Sequence, residues 1–310
     1  MIYFAPLQGF TDFVYRASYN AVFEGIDKYF IPYVAVKNGA IVARQLNEIL
    51  PGNNWEINVV PQILVKDAAE TNLLVQQLAK YEYKEANLNL GCPYPMATNR
   101  PKGSGLLPHP EEVRKILAAW FHQQDMALSV KLRLGLCSVS EIEEIIPVLN
   151  DFPLTEVILH PRTARQLYSG NLCDDNFSAV QQKLRHNIVF NGDIFSVADA
   201  RKRQQQFPGV TNWMLGRGIL MNPFLPAEIK HKKMPITQKN EMLRRFHNRI
   251  LEHYLRSMDN PGNAVNKMKQ FWSYFSYNFP NQEKVFRQIK KSKDLIRLKA
   301  SVAQIFNGLD

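Results

Sequence analysis

The sequence predicts an α/β chain: a (β/α)8 barrel followed by an all-helical bundle. Three observations carry the prediction. Between residues 2 and 215, eight short apolar, β-branched runs alternate with amphipathic stretches, the pattern of repeated βα units that close into a barrel. After Pro226 the strand signals cease and only helical periodicity remains. The charge divides near the same point: residues 230–310 hold 17 Lys/Arg against 6 Asp/Glu, while the rest of the chain holds 21 against 22.

The strands read, in order, as Ile2–Leu7, Tyr29–Val36, Asn58–Leu64, Ala86–Leu90, Ala127–Leu134, Glu156–His160, Ile188–Asn191 and Trp213–Leu215. The helices between them read as Asp12–Phe23, Gly39–Ile49, Ala68–Lys80, Pro110–His122, Ser138–Leu149, Asp175–Leu184 and Ser196–Gln206. Ser138 with Glu141, and Ser196 with Asp199, resemble capping boxes that start a helix. Pro110 followed by Glu111 and Glu112 suits a first turn. An open doubly wound sheet is the competing fold. It is disfavoured because no GxGxxG follows the first strand, no phosphate-binding P-loop occurs, and the strand count matches a closed barrel.

Residues 231–235 read as a linker, dividing a barrel domain over 1–232 from a basic helical domain over 237–310. The latter splits at Pro261-Gly262 and Pro280-Asn281 into helices Gln238–Met258, Ala264–Asn278, Gln282–Lys291 and Lys293–Phe306. Leu243, Phe246, Ile250 and Tyr254 recur at helical spacing, as do Val265, Met268, Phe271, Trp272 and Phe275. These aromatics read as helical core rather than as base-stacking platforms.

Composition is that of an ordinary globular protein. The first residues lack a basic segment followed by a long apolar one, so no signal peptide is expected, and no apolar run approaches a membrane span. Three cysteines, Cys92, Cys137 and Cys173, with no CxxC pair argue against a disulfide framework or a structural zinc site and point to a reducing cytoplasm. The basic excess in the last quarter points to a polyanionic partner, nucleic acid first.

In a barrel the chemistry gathers at the C-terminal strand ends. The fourth strand ends in Asn89-Leu-Gly-Cys92-Pro93, which places a thiol where strand opens into loop, just after a carboxamide. The thiol alone could be a nucleophile, a metal ligand or a buried hydrophobe; no second His or carboxylate stands at ligand spacing, which disfavours the metal. The seventh and eighth ends, Asn191-Gly192-Asp193 and Gly216-Arg217-Gly218, offer backbone N–H groups and a guanidinium for a phosphate. Lys131 and Arg133 alternate with Val130, Leu132 and Leu134, so both point to one side and face the barrel mouth. Two such cations suit an anionic or carbonyl-rich ligand. His160 ends the sixth strand.

At these residues the chain resembles the flavin-dependent tRNA-dihydrouridine synthase family, nearly end to end. Ala5-Pro-Leu-Gln-Gly-Phe-Thr-Asp12 is similar to the family's opening motif. Gln62, Asn89-Leu-Gly-Cys-Pro93, Lys131-Leu-Arg-Leu-Gly135, His160-Pro-Arg-Thr163, Asn191-Gly-Asp193 and Gly216-Arg-Gly218 follow in the family's order. Pro161 replaces a common glycine, Asn87 stands where aspartate is frequent, and Met221 replaces a glycine; none of these removes a chemical group.

The resemblance implies FMN across the barrel mouth, contacted by Pro6, Leu7, Gln8, Gln62, Lys131 and His160, with its phosphate at Asn191, Gly192, Asp193, Gly216 and Arg217. It implies a flipped-out uracil held by Asn89, Arg133 and Tyr168. NADPH or NADH would reduce the flavin, hydride would pass to uracil C6, and Cys92 would give a proton to C5 as general acid. A free thiol is protonated at neutral pH and suits that role. The loop from Tyr94 to Leu107 reads as a mobile lid carrying Cys92. The implied partner is tRNA, with no membrane, and nothing demands more than a monomer.

An FMN barrel acting on a free pyrimidine, like dihydroorotate or dihydropyrimidine dehydrogenase, is the alternative. The basic helical quarter separates the two, since a small-molecule enzyme has no use for it. Activity on tRNA should also fall with salt as phosphate contacts release counterions. A catalytically dead barrel kept for RNA binding is a third reading, which the full set of chemical groups disfavours.

Overall fold

The computed structural model describes residues 1–123, 126–232 and 235–308. The expected linker at 231–235 and the last two residues of the expected helical domain lie partly or wholly outside these. The strands are β1 Ile2–Phe4, β2 Lys28–Lys37, β3 Ala40–Ile41, β4 Val59–Leu64, β5 Glu85–Leu90, β6 Ala127–Gly135, β7 Glu156–Thr163, β8 Asn187–Asn191 and β9 Asn212–Leu215. All but β3 pair in parallel in the order β1-β9-β8-β7-β6-β5-β4-β2. A β1–β2 pairing closes the eight-stranded barrel. All eight predicted strands are present.

β3 was not predicted. Asn38 and Gly39 both take positive φ, 52° and 74°, the geometry of a two-residue hairpin turn that favours Asn-Gly. The chain therefore folds back, pairing Val36 with Ile41, and the helix expected from Gly39 begins only at Ala43. The predicted caps form: Ser138 and Glu141 make a full capping box, and Ser196 accepts from Asp199 N at 3.0 Å.

Strand alternation sorts the barrel's two faces. On β6, Val130, Leu132 and Leu134 are fully buried in the main core. Their neighbours Ser129, Lys131 and Arg133 share the other face. An inner cluster of Tyr3, Ala5, Phe30, Val60, Ile158, Val189 and Met214 fills part of the lumen. The lumen floor is ionic: Lys28 Nζ lies 2.9 Å from Glu85 and 3.4 Å from Glu156, and Tyr3 donates to Glu156 at 2.9 Å. These charges are tolerable there because each has a partner.

Four helices follow the barrel: Ile236–Ser257, Pro261–Phe275, Gln282–Lys290 and Leu295–Asn307. Their predicted stripes are buried, and they share one core with the barrel. Phe246 packs edge-on against Tyr15, Tyr19 and Phe23 of the first barrel helix and its exit, with centroids 5.0–6.1 Å apart. Burying a ring of this kind contributes about 2–3 kcal/mol. Asp12 joins the two parts at the mouth. It caps the helix Phe13–Asn20, accepts from Tyr254 at 2.8 Å and pairs with Lys267 at 3.0 Å. Lys267 also donates to Gly9 O at 2.6 Å. The helical part is thereby fastened to the loop that rims the barrel mouth. No helix among the described residues is long and apolar enough to cross a membrane.

Candidate active site

A cavity of about 280 Å³ opens at the C-terminal ends of the strands. Every candidate residue from the sequence lines it: Cys92; Pro6, Leu7, Gln8, Gln62, Lys131, His160, Asn191, Gly192, Asp193, Gly216 and Arg217; and Asn89, Arg133 and Tyr168. Register brings them together, setting Asn89 opposite Lys131 and Arg133 opposite His160. Their hydrogen bonds show what each is free to do.

Cys92 is buried and held through its backbone. Asn89 Oδ1 accepts from Cys92 N at 2.8 Å and from Gly91 N at 2.9 Å. Ser104 Oγ donates to Cys92 O at 2.7 Å. Gly103, at φ 58°, lies so close that a Cβ there would come within 2.8 Å of Cys92 Cβ, so only glycine fits without displacement. Burial raises the thiol pKa above its ordinary value, against the opposing pull of the Tyr94 N–H, Arg133 and Lys131. The thiol is thus protonated at neutral pH.

The mobile lid expected over Tyr94–Leu107 is not what the structure shows. Pro95–Thr98 is a helical turn, Gly103–Leu106 a 3-10 turn, and residues 102–107 are buried. Lys102 forms a buried ion pair with Glu70 at 2.6 Å and donates to Val36 O at 3.3 Å. Loop length and glycine content suggested a lid; the burial of Lys102 makes the second half a fixed mount for Cys92.

A directional amide relay lies beneath the cavity. Asn87 Nδ2 donates to Ser129 Oγ at 2.9 Å, Gln62 Nε2 donates to Asn87 Oδ1 at 2.7 Å, and Asn89 Nδ2 donates to Gln62 Oε1 at 2.7 Å. Asn89 Oδ1 then accepts from the Cys92 amide. Each bond fixes the amide orientation of the next residue. Asn89, expected to hold substrate, therefore also positions Cys92, and keeps one N–H for the cavity.

Arg133 is 2% exposed and binds three carbonyls: Gly91 at 3.1 Å, Thr163 at 2.9 Å and Leu167 at 2.7 Å. It stitches the loop carrying Cys92 to the loop carrying Tyr168, whose side chain also lies against the guanidinium. Lys131, by contrast, has no hydrogen bond or ion pair among the described residues. Burial, then repulsion from Arg133, lowers its pKa to about 7. A half-buried lysine without a partner faces a cavity that can supply one.

His160 is neutral. Burial, then the charges of Arg133, Lys131, Arg162 and Arg217, hold its pKa well below the ordinary value. Arg162 Nη1 lies 3.2 Å from His160 Nε2. A guanidinium only donates, so Nε2 accepts and the ring proton sits on Nδ1. Arg162, fully buried, passed without a role in the sequence reading.

At the expected phosphate end, the Asp193 carboxylate is already engaged. It binds Arg162 at 2.5 Å and Arg217 at 2.9 Å, and Asn191 Nδ2 donates to Met214 O at 2.8 Å. These side chains shape the loops, leaving backbone N–H groups and the rest of Arg217 for an anion. Gly218 is required here, since a Cβ would meet Ile194 O at 2.1 Å. Tyr168 lies between two guanidiniums, 4.5 Å from Arg217 and 5.4 Å from Arg133.

Tyr94, Phe10, Phe195 and Tyr274 also line the cavity and were missed. Tyr274 comes from the helical part, whose aromatics at helical spacing were read as core. It stands outside the buried stripe Val265–Met268–Phe271–Trp272–Phe275, and that offset was the available signal.

Comparison with known proteins agrees with this geometry. Residues 3–307 match the sequence profile described as Dihydrouridine synthase (Dus). A "Probable tRNA-dihydrouridine synthase" of Helicobacter pylori is 26% identical over 82% of this chain and 77% of that protein. Another of that description from Rickettsia conorii is 22% identical over 99% of this chain and 94% of that protein. The human "tRNA-dihydrouridine(47) synthase [NAD(P)(+)]-like" is 32% identical over 54% of this chain but only 26% of its own length. Among solved structures, morphinone reductase superposes with a TM-score of 0.54 over 76% of this chain and 88% of its own, at 8% identity, which reflects shared fold alone. The chain belongs to the dihydrouridine synthase family.

Proposed function

We infer that this tRNA-dihydrouridine synthase binds FMN across the barrel mouth and reduces the C5=C6 bond of a tRNA uridine laid against it, with Cys92 as the proton donor. The observation that carries this is the meeting, in one cavity, of a buried thiol, Cys92, with a half-buried lysine, Lys131, that has no partner among the described residues.

The residues present suit a flavin. Lys131 lacks the acceptor that an electron-rich ring edge provides, and Pro6, Leu7, Gln8, Gln62 and His160 line the remaining walls. The N–H groups around Asn191, Gly192, Asp193 and Gly216, with Arg217, suit the phosphate. When bound and reduced by NADPH or NADH, the flavin supplies the hydride that reaches uracil C6.

The chain's own residues do the rest. Asn89 and Arg133 each keep an N–H for the uracil carbonyls, and the Tyr168 ring offers it a face. Negative charge that develops on the uracil is met by Arg133 and Lys131, which stand ready in the cavity wall. Cys92 Sγ gives its proton to C5, and the fixed backbone at Cys92 keeps the thiol in place for that transfer.

We assign the catalytic part to residues 1–232 and tRNA binding to 237–310. The exposed Lys284, Arg287, Lys290, Lys291 and Lys293 support the latter, forming a cationic run for phosphates. A monomer working in a reducing cytoplasm fits three free cysteines. A free-pyrimidine reductase is not favoured, because the helical part reaches the cavity itself through Tyr274. The test is to extract the bound flavin, then treat unmodified tRNA with the enzyme and NADPH and map dihydrouridine by mass spectrometry. A gain of two hydrogens at a defined uridine is expected; turnover of free uracil or orotate in its place would overturn the reading.

A further inference from the structure

Among the described residues, eleven large apolar side chains are exposed. Three of them, Tyr94, Tyr168 and Phe195, line the cavity, and Met96, Leu167 and Tyr277 stand within three residues of cavity-lining side chains on the same segments. Scattered exposed apolar residues need no explanation, but a cluster around one opening does. The six come from four separate segments: the loops after β5, β7 and β8, and the 3-10 turn Ser276–Asn278 that follows the helix Pro261–Phe275. Tyr94 is 48% and Tyr277 49% exposed. Next to Tyr277, Tyr274 lines the cavity and braces edge-on against Phe10 at 5.1 Å. On the opposite side Arg217 lies 4.5 Å from the Tyr168 ring and 5.3 Å from Phe195, which adds a guanidinium plane to the surface.

We propose that this rim is a stacking surface for the nucleotides on either side of the target uridine, so that the enzyme grips a short unstacked stretch of tRNA rather than one extruded base. The proposal rests on the reading of the cavity as a uridine site. Two features select this occupant. The rim is continuous with the cavity, so a strand delivering a base inward must cross it. It also sets one guanidinium, Arg217, against the Tyr168 and Phe195 rings, and rings beside a cation hold unpaired bases and their phosphates without sequence choice. A duplex would hide its base faces and could not use it.

The test uses the flavin-loaded protein and four variants, Tyr94→Ala, Tyr94→Phe, Tyr277→Ala and Tyr277→Phe, titrated with unmodified tRNA. The visible spectrum of the flavin reports that each variant is folded. Each alanine variant should bind tRNA about 5- to 100-fold more weakly. The phenylalanine variants, which keep the ring, should bind like the parent. Unchanged tRNA affinity in both alanine variants would overturn the proposal. So would phenylalanine variants as weak as alanine, since hydroxyl contacts would then replace stacking. A change in the sedimentation of the free protein, with tRNA affinity intact, would show that the rim meets a second copy of this chain and would equally overturn it. Failure of the underlying reading looks different: the parent itself would form no dihydrouridine in tRNA.

Discussion

Asn87→Leu removes the centre of the amide relay while nearly preserving volume. Asn87 is fully buried, accepts from Gln62 at 2.7 Å and donates to Ser129 at 2.9 Å. Ser129 retains Ala86 O at 3.3 Å, but Gln62 Nε2 is left without an acceptor at a residue only 1% exposed. Stranding one buried donor costs about 1–3 kcal/mol. At about 2 kcal/mol, a protein of this size should unfold about 3 °C lower. The functional consequence is more specific. Gln62 loses the bond that fixes its amide, Asn89 loses the bond that fixes its own, and the Cys92 N–H loses its aimed acceptor. We expect turnover on tRNA to fall at least about tenfold with KM little changed, the mark of a lost transition-state alignment. Alkylation of Cys92 by iodoacetamide should accelerate as its backbone loosens. Asn87→Asp should restore turnover, because a carboxylate accepts from both Gln62 and the Ser129 hydroxyl. Thermal unfolding followed by flavin fluorescence, with steady-state kinetics, measures both effects. Undiminished turnover in Asn87→Leu, or an aspartate variant as poor as leucine, would refute the relay.

Two further outcomes follow from shifted titrations. Lys131 starts near pKa 7, and an acceptor bound beside it raises that value, so binding takes up a proton. FMN affinity of the apoprotein should therefore fall between pH 7.5 and 9, by up to about tenfold per pH unit; the phosphate's own ionisation near pH 6 is then complete. Equilibrium dialysis should show weaker, pH-independent binding for Lys131→Met, and pH-independent binding by the parent would contradict the placement of Lys131. His247, buried among Phe271, Trp272, Phe275 and Phe306, has its pKa lowered to about 4. The unfolded imidazole, near 6.5, takes a proton that the folded one refuses, so stability falls as pH drops from about 6.5 to about 4, by up to ~1.4 kcal/mol per unit. Urea midpoints at pH 7 and 4.5 should lie closer together in His247→Phe than in the parent; equal spacing would rule this out.

Barrel order, the parity of Lys131 and Arg133, and the strand-end residues of the cavity could be read from the sequence, because each follows from local periodicity and the rule that strand ends converge. The amide relay could not, since which of Ser129, Asn87, Gln62 and Asn89 meet depends on register between strands. Nor could the sharing of the Asp193 carboxylate by Arg162 and Arg217, which braces the loop at the expected phosphate end. The expected lid came from reading glycines as mobility, whereas in its buried second half Gly103 serves close approach to Cys92. Asn38-Gly39 was a legible hairpin signal overridden by helical spacing. Tyr274 reaches the cavity from more than 250 residues beyond the first strand, and only tertiary packing brings it there.

The central claim is that Cys92 protonates uracil C5. Its most direct measurement is a single turnover in which enzyme reduced beforehand is mixed with excess unmodified tRNA and flavin reoxidation is followed. In Cys92→Ala, reoxidation should slow by about 10²–10⁴-fold, while reduction by NADPH and affinity for tRNA stay near those of the parent. Reoxidation of that variant at the parent's rate would contradict the account.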